Sequence, residues 1–286
     1  MLPSYLTDQA IHEFIKSALA EDIGEGDHSS LGAIAASKIS KARLLIKDNG
    51  IIAGVEMAER IFREINPSLH VAFFKHDGEV VKKGEVAFIV EGTAQSILSA
   101  ERLVLNCMQR MSGIATYAHR LCKLIEGTGA QIMDTRKTTP NFRLMEKWAV
   151  AIGGGKNHRF ALYDMVMLKD NHVVMAGGIR AAIENTQTYL RDKNKDLKIE
   201  IETRNLQEVK EVLNVGGVDI IMLDNMSVDD MKKAVQLIGG KYKIEASGGI
   251  TEATLRSVAD CGVDYISVGA LTHSVKSLDL SLKVEK

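Results

Sequence analysis

The stretch "KIEIETRNLQEVKEVLNVGGVDIIMLDNMSVDDMKKAVQLIGGKYKIEASGG", residues 198–249, alternates short apolar runs with longer segments of helical spacing. The runs "KIEIE" (198–202), "DIIMLDN" (219–225) and "KIEASGG" (243–249), continued by "DYISVGA" (264–270), end near Glu202, Asp224, Ser247 and Gly269. Those ends fall 22, 23 and 22 residues apart. Such alternation signals βα units around a parallel sheet. Two earlier runs, "QIMDT" (131–135) and "MVMLKD" (165–170), extend the series with Asp134 and Lys169 at their ends. In an α/β barrel the carboxyl ends of the strands converge at one mouth, where an active site is assembled. A doubly wound sheet also collects ligands at its strand ends, but polar groups at this many successive ends favour a ring.

Upstream the texture differs. An amphipathic helix at the amino terminus and the acidic turn "EDIGEGDHSS" (21–30) precede strand candidates "KARLLIKDNGIIAG" (41–54), "HVAFFKHDGEVV" (70–81) and "EVAFIVEGTA" (85–94), with a helix, "GVEMAERIFREI" (54–65), between them. This reads as a small α+β domain. A long helical region (94–129) follows, on which Arg102, Asn106, Gln109 and Gly113 form one polar line. The expected fold class is α/β, a barrel with a smaller N-terminal α+β domain, divided at 1–115 and 116–272.

The composition narrows the function. With 286 residues, a net charge of -1 and only three prolines, the chain suits two folded domains. Near-neutral charge argues against a nucleic-acid partner bound by broad phosphate neutralisation. Cys107, Cys122 and Cys261 are too few and too scattered for a disulfide framework or a zinc site. No run reaches the roughly 18 apolar residues of a spanning helix, and no basic stretch precedes an apolar core at the amino terminus. A cytoplasmic protein with no membrane partner is expected.

Against that neutral background, "MDTRKTTPNFR" (133–143), "GGGKNHRF" (153–160) and "MVMLKDNH" (165–172) crowd Arg136, Lys137, His158, Arg159 and Lys169 at or just after strand ends. Any one of these alone is more often a solvated surface group, and His12, His70 and His119 are read as structural. Together they suit a polyanion, because arginine forks match carboxylates and phosphates and lysine adds a compact charge. The glycine turns "ASGGITEAT" (246–254) and "SVGALTHS" (267–274) follow the last two strands, where backbone N–H groups of such barrels cradle a phosphate. Glu202 and Asp224 supply two neighbouring carboxylates for Mg²⁺ or for a developing sugar cation, the alternative being internal pairing with lysines. No Ser or Cys sits in a nucleophile elbow, and "GGGKNHRF" lacks the ending of a P-loop. The nucleophile is therefore expected to belong to the substrate.

"DTRKTTP" with "GGGKNHR", supported by "EDIGEGD", "AERLVLNCMQRMSGIAT", "IMLDN", "EASGGI" and "SVGALTHS", resembles the quinolinate phosphoribosyltransferase family of type II phosphoribosyltransferases along almost the whole chain. The resemblance implies an open-sided barrel whose smaller domain is joined by the C-terminal segment 273–286. It also implies that quinolinate and phosphoribosyl pyrophosphate react with Mg²⁺ to give nicotinate mononucleotide, pyrophosphate and CO2 in NAD biosynthesis. On matching positions, Arg136, His158, Arg159 and Lys169 would hold the quinolinate carboxylates, with Thr138 also binding substrate. Lys137 would sit between pyridine and pyrophosphate. Glu202 and Asp224 would bind ribose and metal. Ser247, Gly248, Gly249 and Gly269, with His273 nearby, would cradle the 5′-phosphate. Arg102 would reach into the neighbouring subunit of a homodimer, and a hexamer of such dimers stays open.

The chain departs from the family pattern at His28 and Ser29 and at Asn141 and Phe142, which affects the shape of the loop after Pro140. Two other readings remain at this stage: a relative acting on another pyridine or a molybdenum-pathway substrate, and a biotinyl or lipoyl carrier suggested by "HDGEVVKKGEVAFIVEG" (76–92). Lys82 and Lys83 lie in a "VVKKGE" turn without flanking methionines, which argues against the carrier.

Overall fold

The computed structural model describes residue 3 and residues 5–285. Among these, the residues up to His119, Lys137–Gly154 and those from Ala270 onward form one compact unit, and Arg120–Arg136 with Gly155–Gly269 form a second.

The first unit is built on an antiparallel sheet in the order Leu280–Val284, Ile39–Ile46, Val86–Thr93, His70–Phe73. Alternation decides its faces: Ala42, Leu44 and Ile46 are buried, and Leu44 lies opposite Leu282 on one side and Phe88 on the other. Helix Val55–Ile65 buries Val55, Ala58, Ile61 and Phe62 at helical spacing, and Phe62 meets Phe88 edge-on with centroids 5.6 Å apart. Each such ring contributes roughly 2–3 kcal/mol by burial. The Asp77 carboxylate accepts from the Val55 and Glu56 amides at 2.8 and 3.2 Å, closing the open start of that helix. In the turn after Val80–Val81 the Lys82 and Lys83 amides are tied to Glu85 and Asn49, each at 2.9 Å, as parts of the small domain's own sheet.

The helix Ala94–Leu124 spans 31 residues. The lower half of its polar line serves the chain itself: the Gln109 side chain donates to the Leu280 carbonyl at 2.9 Å, and a Cβ on Gly113 would meet the Lys276 carbonyl oxygen at 2.3 Å. Only hydrogen at that position lets the C-terminal segment approach. Arg102 and Asn106 are exposed.

The sequence division left 137–154 with the barrel. Helix Arg143–Ile152 instead packs within the first unit, where a Cβ on Gly153 would meet the Ala115 carbonyl oxygen at 2.4 Å and buried Glu146 receives Arg110.

The second unit is a six-stranded parallel sheet in the order Gln131–Met133, Tyr265–Ser267, Lys243–Ser247, Ile220–Asp224, Ile199–Thr203, Val166–Leu168. Helices follow the strands, started by side-chain caps from Asn205 and Ser227. At the opposite end of the sheet, Asp219 and Asp264 accept from the Ile199 and Ile244 amides at 2.7 and 2.9 Å, fixing where neighbouring strands begin. Lys156 adds a parallel bridge beside Met133. Among the described residues no pairing joins Lys156 to Val166–Leu168, which is the open side of the barrel.

Candidate active site at the strand ends

Parallel register determines what the strand ends bring together. Opposite partners lie on the same face, so Glu200, Glu202, Met222, Asp224, Glu245 and Ser247 share one side of the sheet. Glu202, Asp224 and Ser247 occupy adjacent carboxyl ends, and the Lys169 ammonium pairs with the Glu202 carboxylate. Asn225, in a left-handed conformation (φ 54°), donates from its amide to the Ser247 carbonyl at 2.9 Å and from its side chain to Asp224 at 2.9 Å. Gly248 lies against it so closely that a Cβ would meet the Asn225 carboxamide oxygen at 2.4 Å. With Gly249 also at positive φ, this turn presents bare backbone. Gly269 ends the neighbouring strand path, since Lys243–Ser247 pairs with Tyr265–Ser267.

Arg159 is half-buried and donates to the Met165 carbonyl at 3.2 Å. Burial and then the nearby charge of Arg136 hold its pKa below the ordinary arginine value. Two like charges held close together create a place for an anion.

His158 sits lower. The buried Asp134 carboxylate accepts from its amide at 2.9 Å and from the Asn157 side chain at 2.6 Å, anchoring the segment beside Met133. The family resemblance assigned His158 to a substrate carboxylate. Here its Nε2 lies 2.8 Å from Glu200 and 3.4 Å from Glu245, and its Nδ1 accepts from the Arg159 amide at 2.8 Å. Both ring nitrogens are thus committed inside the protein. Glu200 and Glu245 are fully buried, and Glu200 Oε1 and both Glu245 oxygens have no hydrogen-bond partner.

Ligand atoms of these three residues lie within 4.8 Å of one another, as a metal would require. A metal does not suit the ring, however. Nδ1 faces an N–H and must be bare, so the imidazole proton occupies Nε2, the atom that would have to ligate. The cluster instead holds an extra proton. Burial pulls the His158 pKa down, but its hydrogen bond to Glu200 and the nearby Glu245 charge outweigh that and raise it; burial and the Glu245 charge push Glu200 up to about 7. The Arg159 amide disfavours a second proton on the ring, so the buried Glu200 carboxylate takes it.

The raised Glu200 pKa means tighter proton binding in the folded state. The associated stability is complete below the ordinary carboxylate value and is lost as pH rises through about 7. The melting temperature therefore falls as pH rises to and through about 7. Glu200→Gln, which keeps an acceptor but removes one buried charge, reduces that fall by about 2–4 °C. An unchanged pH slope in the variant would show that the cluster does not titrate this way.

The remaining expected residues lie in the first unit. Lys137 is exposed, the Thr138 hydroxyl accepts from Arg143 Nε at 2.9 Å, and exposed His273 shares a 2.6 Å hydrogen bond with Ser274. Sequence reasoning missed Glu200 and Glu245, although a glutamate inside each of the runs "KIEIE" and "KIEAS" was the available signal. It also missed Arg110 and Glu146, which no local pattern marks.

Fold and site together define an α/β-barrel enzyme for substrates carrying several negative charges. Residues 27–112 match the description "Quinolinate phosphoribosyl transferase, N-terminal domain", and residues 114–283 the corresponding C-terminal domain. The chain is 48% identical over 288 residues to the chloroplastic nicotinate-nucleotide pyrophosphorylase (carboxylating) of Arabidopsis thaliana, covering 95% of this chain and 82% of that protein. It is 46% identical over 290 residues to the mitochondrial quinolinate phosphoribosyltransferase (decarboxylating) 2b of Nicotiana tabacum, covering 96% and 82%. The crystal structure of NadC from Streptococcus pyogenes superposes with a TM-score of 0.91 at 37% identity, covering 98% of this chain and 99% of that one. The chain belongs to the quinolinate phosphoribosyl transferase family.

Proposed function

We propose that this chain transfers the phosphoribosyl group of phosphoribosyl pyrophosphate to quinolinate, giving nicotinate mononucleotide, pyrophosphate and CO2 in de novo NAD biosynthesis. The observation that carries this reading is the pairing of concentrated cations with two carboxylates at adjacent strand ends, on a chain whose net charge is only -1. Quinolinate brings two carboxylates and its partner brings phosphates, so both need local positive charge.

Arg136, Arg159 and Lys169 would bind the quinolinate carboxylates and turn the pyridine nitrogen toward the anomeric carbon. His158 would act from below, holding the start of the Arg159 segment through its ring. The N–C bond forms as the bond from the anomeric carbon to pyrophosphate oxygen breaks. Lys137 would offset charge on the departing pyrophosphate, and Glu202 and Asp224 would face the positive charge developing on the ribose. Their hard oxygens suit Mg²⁺, which keeps several waters and takes one or two protein carboxylates; Mg²⁺ bound there would neutralise pyrophosphate charge. The Ser247 to Gly249 turn and Gly269, with His273, would hold the 5′-phosphate. After transfer, the cationic pyridinium ring accepts the electron pair left by the departing adjacent carboxylate, and the ring carbon then takes a proton. Positioning and preorganised charge would supply most of the acceleration.

Exposed Arg102 is free of the packing that occupies Gln109 and Gly113, which supports a homodimer in which it completes the partner's site. No described helix is long and apolar enough to cross a membrane. Three unlinked cysteines suit a reducing compartment, and we assign the protein to the cytoplasm.

The test is incubation with phosphoribosyl pyrophosphate, Mg²⁺ and either quinolinate or nicotinate, with products followed by mass. Nicotinate mononucleotide and CO2 are expected from quinolinate only. Product from nicotinate instead would overturn the dicarboxylate specificity.

A further inference from the structure

A closed hydrogen-bonded circuit in the first unit grips the backbone around Lys137. The buried Thr272 hydroxyl donates to the Lys137 carbonyl at 2.8 Å, while the Thr272 carbonyl accepts from the Arg110 guanidinium. Arg110 also donates to the Val275 carbonyl at 3.0 Å and, through Nε and Nη2, to Glu146 Oε1 at 3.0 and 2.8 Å. Glu146, fully buried, accepts in turn from the Thr139 amide at 3.1 Å and the Thr139 hydroxyl at 2.9 Å. The chain is thus held at residue 137 and again at residue 139.

Stability alone is a poor reason for this arrangement. Burying a guanidinium and a carboxylate costs desolvation that their attraction barely offsets, and apolar residues of the same volume commonly stabilise as well or better. What the circuit does provide is definition. Residues 134–139 adopt no helix or strand, so their backbone would otherwise sample many conformations, and Lys137 is an exposed, four-carbon side chain on that segment. Fixing its carbonyl and the amide two residues on sets the direction in which the Lys137 side chain leaves the backbone. Three helices converge to do this, since Arg110, Glu146 and Thr272 each sit on a different one.

We infer that Arg110, Glu146 and Thr272 are positioning residues that aim Lys137 in phosphoribosyl transfer. The inference rests on the role given to Lys137 above. Thr272→Val keeps the shape and removes the hydroxyl, and it should lower kcat about tenfold while both KM values move less than about twofold, because misplacing a catalytic group costs the transition state and not ground-state binding. Thr272→Ser, which restores the donor, should return most of the rate. The deciding comparison is made in the Lys137→Ala background, where Thr272→Val should cost less than about twofold further, since residues acting through one another are not additive. An equal loss in both backgrounds would mean the hydroxyl acts through the general fold and would overturn the inference while leaving the role of Lys137 intact. Full activity in Lys137→Ala would overturn both. Should Thr272→Val not fold, Thr139→Val carries the same cycle from the other end of the circuit, with the same criteria.

Discussion

Arg136→Ala lowers kcat/KM for quinolinate by about 10²- to 10³-fold and moves the KM for phosphoribosyl pyrophosphate less than about threefold. The magnitude follows from two charge-assisted hydrogen bonds at roughly 1.5–3 kcal/mol each, not fully additive. The direction follows from the structure: Arg136 is close enough that its charge, after burial, is what depresses the pKa of Arg159. Such crowding is unfavourable until a dianion arrives, and a dianion loses one of its three counter-charges when Arg136 is removed. Varying each substrate in turn checks this. Equal losses on both substrates would place Arg136 on the phosphates instead. Binding of nicotinate, which has one carboxylate, should distinguish the variant from the original enzyme far less than binding of quinolinate does.

Much of the site was legible because strand ends are a local signal. An apolar run that stops at Glu202, Asp224 or Ser247 reports both a buried strand and the point where it meets solvent, and parallel register then places those ends side by side. The barrel followed from the same repeat. What stayed hidden depends on contacts between distant residues. Arg110 and Glu146 are 36 positions apart, and nothing in the sequence near either one points to the other. Gln109 and Gly113 were read only as part of one polar line with Arg102, whereas close approach of the Lys276 carbonyl and a bond to Leu280 explain them within the chain. Helix Arg143–Ile152 carried no mark that it would leave the barrel, since its sequence neighbours on both sides are barrel strands. Glu200 and Glu245 were passed over for a different reason. A charge in the middle of an apolar run contradicts the simple pattern, and such contradictions tend to mark functional or strained sites. The rule that located Glu202 therefore hid its neighbour two residues earlier.

Glu202→Gln lowers kcat by about 10²- to 10³-fold, as loss of a preorganised charge at the reacting centre does, and leaves the KM for quinolinate equal or lower. The two effects have separate origins. Glu202 is shielded, with 12% of its side chain exposed, and it is paired with Lys169. In the resting enzyme that carboxylate cancels part of the positive charge that would otherwise attract the dianion. Replacing it by a neutral amide of nearly the same shape frees the Lys169 ammonium for substrate, so ground-state binding does not suffer. The transition state does suffer, because positive charge gathers on the ribose as pyrophosphate leaves, and the group placed to oppose it has gone. A carboxylate that competes with substrate yet is needed for turnover is the pattern expected when binding and catalysis place opposite demands on one charge. Steady-state kinetics on both substrates, with the Lys169→Met variant for comparison, separate the alternatives. If Glu202→Gln instead raises the KM for quinolinate tenfold and spares kcat, Glu202 serves to orient Lys169 and the developing charge is met elsewhere.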